Sequence, residues 1–225
     1  MEDSIKPWYK HWWGGAAIVL SAIILFFLTA SAFYFIGEIK TAKLRQNQLN
    51  RGLTGQKYEA SNGDNYWLGS KTANISIVEF ADFACPYSEK AFPTIREISQ
   101  KYKDDVKFIW RDYPVVTEYS ALLALAGRCA GEQGLFWLMH DKLFQNQGVI
   151  QAEQLVALAN QIGADVTKFK DCLNQQKYLK QIMQDFTDGQ SFLVSGTPTY
   201  FINGYKVAGD IPYDTFVKII EQLKK

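Results

Sequence analysis

The chain has 225 residues, of which 48% are hydrophobic and 15% aromatic, enough apolar material to close a sizeable core and to exclude a disordered chain. The formal net charge is +1, which excludes a nucleic-acid partner of the kind that needs a surplus of Lys and Arg to meet phosphates.

Residues 1–13 read as a short N-terminal tail. From Gly14 to Gly37 no charged residue occurs for 24 positions, and at about 1.5 Å per residue such a helix crosses the roughly 30 Å of a hydrocarbon core. Trp8, Tyr9, Trp12 and Trp13 before it and Tyr34 near its end stand where interfacial aromatics stand. Residues 14–37 are therefore expected to be one transmembrane helix, a signal anchor. A cleavable signal peptide is the rival reading, since Ala30-Ser31-Ala32 resembles a cleavage site, but signal peptides have shorter apolar regions. Lys6 and Lys10 precede the segment, whereas Lys40, Lys43, Arg45 and Arg51 follow it, a count that by itself puts the C-terminal part in the cytoplasm. Long domains translocate despite such charge, and the cysteine chemistry below outweighs the count. The expected placement is a single-pass protein of the cell membrane with its C-terminal domain extracytoplasmic.

Residues 38–63 are polar, lack apolar periodicity and read as a stalk or frayed helix. The folded domain is expected over residues 64–225. "ISIVEFADF", 75–83, reads as a buried strand that stops at Cys85-Pro86, and Pro86 suits the first turn of a helix. "VKFIWRDYPV" from Val106 reads as the next strand. Helical spacing then takes over across about 119–190, in "ALLALAGRCAGEQGLFWLMHDKLF", "QAEQLVALANQIG" and "DVTKFKDCLNQQ". "TPTYFINGYKVAG" reads as two short strands around the hairpin turn Asn203-Gly204, and "PYDTFVKIIEQLKK" as a closing amphipathic helix. The order β-α-β, helices, β-β-α is an α/β domain with a helical insertion.

"VEFADFACPYS", "CAGEQGLFW" and "GTPTYFINGY", in this order, resemble the thioredoxin-fold proteins of the bacterial disulfide-forming group, those similar to DsbA and BdbD. The resemblance covers roughly residues 64–225. It implies a thioredoxin fold with a helical insertion, here preceded by one transmembrane helix, and a thiol–disulfide oxidoreductase activity that needs no cofactor. Residue by residue, it makes Cys85 the active cysteine and Glu79 the buried acid of the strand ahead of it. Pro198 matches the family's cis-proline beside that cysteine, and Thr197 the preceding residue whose backbone pairs with an extended substrate.

The residues carry readings of their own. A thiolate at a helix N-terminus is favoured by free backbone N–H groups and the positive end of the macrodipole, so Cys85 is placed to be a nucleophile; the bland alternative is a buried inert cysteine. Pro198 on sequence grounds alone is an ordinary trans turn proline. Glu79 lies in an apolar strand, where a carboxylate needs a partner or a raised pKa, unless it reaches solvent or a lysine.

Ser88 departs from the family's Cys-x-x-Cys pattern: between Cys85 and it stand only Pro86 and Tyr87. A serine cannot resolve a mixed disulfide, so it can only hydrogen-bond the Cys85 sulfur. What remains is monothiol chemistry, in which Cys85 attacks a disulfide and another thiol completes the exchange. The alternative is a catalytically retired peptide-binding module or chaperone; a Ser88-assisted glutathione-conjugating enzyme has a similar fold but no support in these residues. Cys129 and Cys172 stand on two predicted inserted helices. Pairing with each other leaves Cys85 as the odd thiol, a pattern that fits an extracytoplasmic protein; two buried reduced cysteines are the other reading. No metal site is expected, since His11 precedes the membrane segment and His140 sits in an apolar helix. Expected partners are cysteine-containing secreted or membrane proteins, with a small thiol or a membrane redox protein for regeneration.

Overall fold

The apolar run at Ile75 forms a strand because both of its faces are covered, which removes any need for polar alternation. The structure, a computed structural model, describes residues 12–50, 55–61, 65–149 and 151–224, with side chains in its first stretch only at Ala16 and from Ile18 to Lys40. Lys6, Trp8, Tyr9, Lys10, His11, Arg51 and the expected domain start at Asn62–Asp64 lie outside the described residues, as do the side chains of Trp12, Trp13, Lys43 and Arg45. The chain divides into two units, Met1–Gly52 and Leu53–Lys225.

In the first unit a helix α1 runs over Trp12–Asn50, so the backbone expected to form a stalk or frayed helix is helical as far as Asn50. Its stretch Ile18–Lys40 has a mean hydropathy of 2.3 and is, among the described residues, the one helix long and apolar enough to cross a membrane. Its large apolar side chains, Leu25, Phe26 and Phe35 among them, are exposed. The hydroxyls of Thr29 and Ser31 donate back to the carbonyls of Phe26 and Leu28, which satisfies polar groups that lipid would leave without partners.

The second unit contains β1 (Trp67–Gly69), β2 (Ile75–Ala81), α2 (Pro86–Lys101), β3 (Val106–Asp112), α3 (Ser120–Gly131), α4 (Phe136–Gln145), α5 (Ala152–Gln161), α6 (Val166–Asn174), α7 (Leu179–Ser191), β4 (Thr199–Ile202), β5 (Tyr205–Ala208) and α8 (Tyr213–Leu223). The sheet order is β1-β3-β2-β4-β5, with β2 and β3 parallel and the other neighbours antiparallel. This is a mixed α/β thioredoxin-like fold with a helical insertion, α3 to α7, between β3 and β4. Asn203 and Gly204 turn the β4–β5 hairpin with φ of 48° and 86°, the left-handed pair that a two-residue turn requires. β1 was not read from the sequence, because three residues on an edge carry no periodicity. The compact unit also begins upstream of the expected Asp64: Tyr58 donates its N–H to Gly204, its ring meets Phe192 and Phe201, and Ala60 is buried.

Strand alternation sends Ala81 and Trp110 to one face, where they pack against Leu123, Cys129, Phe136 and Phe144 of the insertion. Val78, Phe80, Ile109 and Phe201 go to the other, where Val194 and Phe192 cover them. At the end of β3 the two faces are tied together by charge. Arg111 donates Nε to Asp185 at 2.6 Å and Nη2 to Asp188, while Arg128 of α3 donates to Asp112 and Asp185, each at 2.5 Å. The Asp112 N–H also donates to Asp185. Arg111, Asp112, Arg128 and Asp185 are all buried. A disulfide joins Cys129 of α3 to Cys172 of α6, 43 residues apart, and by the chain-entropy account a loop of that length contributes about 4 kcal/mol.

Arg128→Leu leaves Asp112 and Asp185 buried without their shared cation. Removing one partner of a buried charge network costs about 3–5 kcal/mol, so the urea midpoint of the full chain in detergent is expected to fall accordingly. A midpoint within error of wild type contradicts a structural role for the network.

Candidate functional site

The site begins where β2 ends. The Asp82 carboxylate is buried and accepts the N–H of Ala84 through Oδ1 and those of Val115 and Val116 through Oδ2, each at 2.8 Å. It therefore binds the turn before Cys85 to the loop after β3. Cys85 is the N-cap of α2, with extended backbone (φ −82°, ψ 121°), and Pro86 follows in the first turn. Pro86 has no N–H to leave unsatisfied there and its ring presets the helical φ. The Cys85 carbonyl accepts from the Glu89 N–H and from Gln147 Nε2 at 2.9 Å, and the same Gln147 amide donates to the Phe83 carbonyl at 3.0 Å.

The Cys85 side chain is buried, 4% exposed, and its thiol donates to the carbonyl of Thr197 at 3.2 Å. The Thr197–Pro198 bond is cis. That loop is held by Gly209 N–H donating to the Pro198 carbonyl at 2.8 Å and by the Thr199 hydroxyl donating to Gly196 at 2.6 Å. The structure thus brings together Cys85, Pro86, Thr197 and Pro198.

Ser88 corrects one expectation. It lies one turn after Cys85 and is fully buried, but its hydroxyl makes no hydrogen bond, to the sulfur or to any other described group. The thiol's partner is the Thr197 carbonyl instead. Tyr87 is largely exposed, 65%, so it stands on the outer surface at the start of α2.

Glu79 stands on β2 in register with Trp110 and Tyr200, is 2% exposed and accepts the Tyr200 hydroxyl at 3.0 Å. Burial raises its carboxyl from 4.5 to about 8, a rise that the Tyr200 hydrogen bond opposes. It is closed to solvent, and among the described residues no lysine pairs with it. Cys129 and Cys172 are occupied by their disulfide, which leaves Cys85 as the free cysteine. His140 is buried among the rings of Phe83, Trp110, Phe136, Trp137 and Phe144. Its Nδ1 meets Asp141 at 2.9 Å, and burial lowers its pKa.

Two residues of this site escape sequence reasoning. Asp82 had a faint signal, a carboxylate at the end of a buried apolar run, which needs donors. Gln147 had none, since 62 residues separate it from Cys85.

A family profile described as thioredoxin matches residues 61–222. Among curated relatives, the Na(+)/H(+) antiporter NhaA 3 of Salinispora tropica is 36% identical over 148 residues, 65% of this chain and 22% of that protein. The NhaA 1 protein of Salinispora arenicola is 34% identical over 143 residues, again 22% of its length. The chain therefore spans less than a quarter of these two relatives. Among solved structures, BdbD of Bacillus subtilis superposes with a TM-score of 0.65 at 26% identity, covering 77% of this chain and 99% of that one. The thiol-disulfide exchange protein α-DsbA2 of Wolbachia pipientis gives 0.67 at 18% identity over 83% and 98%, a likeness of fold.

Glu79 generates a pH signature. Its folded pKa lies above its ordinary value, so the folded chain holds this proton more tightly than the unfolded chain. The resulting stability is complete below about pH 4.5 and is lost as pH rises to about 8. Glu79→Gln carries no such proton, so its melting temperature relative to wild type is expected to rise between those values and level off above them. A difference that stays flat across that window contradicts the buried neutral acid.

Proposed function

We propose that this chain, which belongs to the thioredoxin family, is a membrane-anchored thiol–disulfide exchange protein that works through Cys85 alone. The observation that carries the reading is the placement of one free thiol. Cys85 stands at the N-terminus of α2, bonded to the Thr197 carbonyl beside cis-Pro198, while the other two cysteines are joined to each other.

The chemistry follows from that count. The Cys85 sulfur attacks a disulfide of a cysteine-containing protein; a new S–S bond forms, the old one breaks, and the departing sulfur leaves as a thiol. A second thiol within this chain would ordinarily resolve the product, but Ser88 has none to offer. Release therefore falls to a thiol of the client, which rearranges its disulfides, or to a small thiol, which reduces them. The Thr197–Pro198 loop is the surface against which an extended client chain lies. Glu79, neutral below about pH 8, is the buried acid that takes up and returns protons as the site cycles.

Residues 14–37 serve as the anchor, supported by the exposed apolar length of α1. The Cys129–Cys172 disulfide supports an oxidising, extracytoplasmic location for the second unit. The antiporter-named relatives contribute only the shared segment, and no ion transport is proposed. A peptide-binding module remains the second reading, favoured by one observation: the thiol is buried and engaged by Thr197.

With no internal resolving thiol, mixed disulfides of Cys85 persist. Acid-quenched cells are expected to hold covalent adducts of this chain with secreted or membrane proteins, visible on non-reducing gels, lost on reduction and absent in Cys85→Ala. A pure binding module gives no adducts and binds its ligands equally well as Cys85→Ala.

Ser88→Cys restores a thiol one helical turn from Cys85. The oxidised variant is expected to pass its disulfide to a reduced unfolded protein faster than wild type, and equal rates show that the site is no longer shaped for exchange.

A further inference from the structure

A serine inside a helix ordinarily reaches water or bonds back to a carbonyl one turn earlier. Ser88 does neither: it is fully buried and its hydroxyl has no partner among the described residues. Helix side chains lean toward the N-terminus and residues three apart share a face, so this hydroxyl leans toward the turn that holds the Cys85 sulfur. The hydroxyl of Thr197 is likewise buried and without a partner among the described residues, on the residue whose carbonyl accepts the Cys85 thiol. A buried donor without an acceptor is destabilising and asks for a reason. Here two of them belong to residues beside the free cysteine, Ser88 one turn along the helix that Cys85 caps and Thr197 through its carbonyl.

Both donors would be satisfied by an acceptor carried on the sulfur itself. A mixed disulfide supplies only another sulfur, a weak acceptor, whereas an added oxygen supplies a strong one. We propose that Cys85 reduces hydroperoxides and that the Ser88 and Thr197 hydroxyls hold the oxygen that its sulfur then carries. The proposal rests on the reading of Cys85 as the reactive group.

The sulfur lone pair attacks one peroxide oxygen; an S–O bond forms, the O–O bond breaks, and the thiol proton leaves with the other oxygen as alcohol or water. Sulfur is oxidised by two electrons to sulfenic acid and the peroxide is reduced by two. An external thiol then condenses with the sulfenic acid, releasing water and leaving a mixed disulfide on Cys85. A second external thiol restores the Cys85 thiol and departs joined to the first. A cysteine at position 88 would end the sulfenic acid at once by condensing with it, and serine cannot. The species is thereby left to persist, and two hydroxyl donors are in place to hold it.

The test uses the full chain in detergent with its internal disulfide intact. One equivalent of hydrogen peroxide is added, the sulfenic acid is captured at timed intervals with a 1,3-dicarbonyl reagent, and the adduct is mapped to the Cys85 peptide. Wild type is expected to give the adduct, and Ser88→Ala, which removes an unsatisfied group and leaves the helix intact, is expected to shorten the lifetime of the sulfenic acid about fivefold, the effect of losing one ordinary hydrogen bond to a neutral acceptor. Thr197→Val is expected to shorten it in the same direction, and Ser88→Cys to replace the adduct by an internal disulfide. Absence of the adduct, or equal lifetimes in wild type and Ser88→Ala, overturns the proposal. A parallel challenge with an aromatic disulfide separates the two readings. If Cys85 forms a mixed disulfide with that reagent but no sulfenic acid, only the peroxide step fails; if it forms neither, the exchange function fails with it.

Discussion

The Asp185 carboxylate is the constraint from which the site's geometry descends. Arg111 and Asp112 are consecutive strand residues and so point to opposite faces of the sheet. Asp185 accepts from Arg111 Nε, from the Asp112 N–H and from Arg128 of α3. One side chain of α7 thus clasps the end of β3 from both sides and holds α3 against it. Charges taken out of water are tolerated only when every one is answered, so the clasp admits few alternative arrangements. Gly189, one turn further along α7, lets the Tyr113 ring lie where a Cβ would come within 2.6 Å of it, and the Tyr113 hydroxyl donates to Val194 at 2.9 Å. With α7 fixed at both points, the chain that leaves it arrives at Thr197 and Pro198 beside Cys85.

The same economy governs the cysteine turn. Asp82 and Gln147 reach it from opposite directions in the sequence and hold different atoms: Asp82 collects backbone N–H groups, Gln147 gives hydrogens to carbonyls. Between them they fix the extended backbone at Cys85 that lets α2 start there. Since Gln147 follows α4, the helical insertion supports the thiol's own backbone as well as the facing loop. An insertion that looks like decoration in the element order is therefore part of what shapes the site.

Ser88 and Glu79 show how burial changes what a polar group does. Glu79 answers burial by keeping its proton, although the Tyr200 hydroxyl that donates to it favours the ionised form. Ser88 has no proton to shed at ordinary pH and no acceptor to use, so its hydroxyl stays unanswered. Groups left in that condition are rare inside folded chains, and finding one a single turn from the free thiol links a packing anomaly to chemistry.

The amino-acid sequence by itself determined the elements whose cause is local. The strand at Ile75, the hairpin at Asn203-Gly204, the helix starting at Pro86 and the apolar length of α1 follow from periodicity, left-handed turn residues, a missing N–H and uncharged length, and all were legible. The cysteine, its serine neighbour and the buried acid were legible as residues of interest for the same reason. Only the tertiary structure decided which groups meet. That the thiol bonds Thr197 and not Ser88, that Gln147 reaches back across 62 residues, and that Tyr58 and Ala60 join the folded unit ahead of Asp64 are pairings over long separations. Such contacts arise from how the sheet and the insertion pack together, and a hydrogen bond's distance and direction leave no periodic trace in either partner's surrounding sequence.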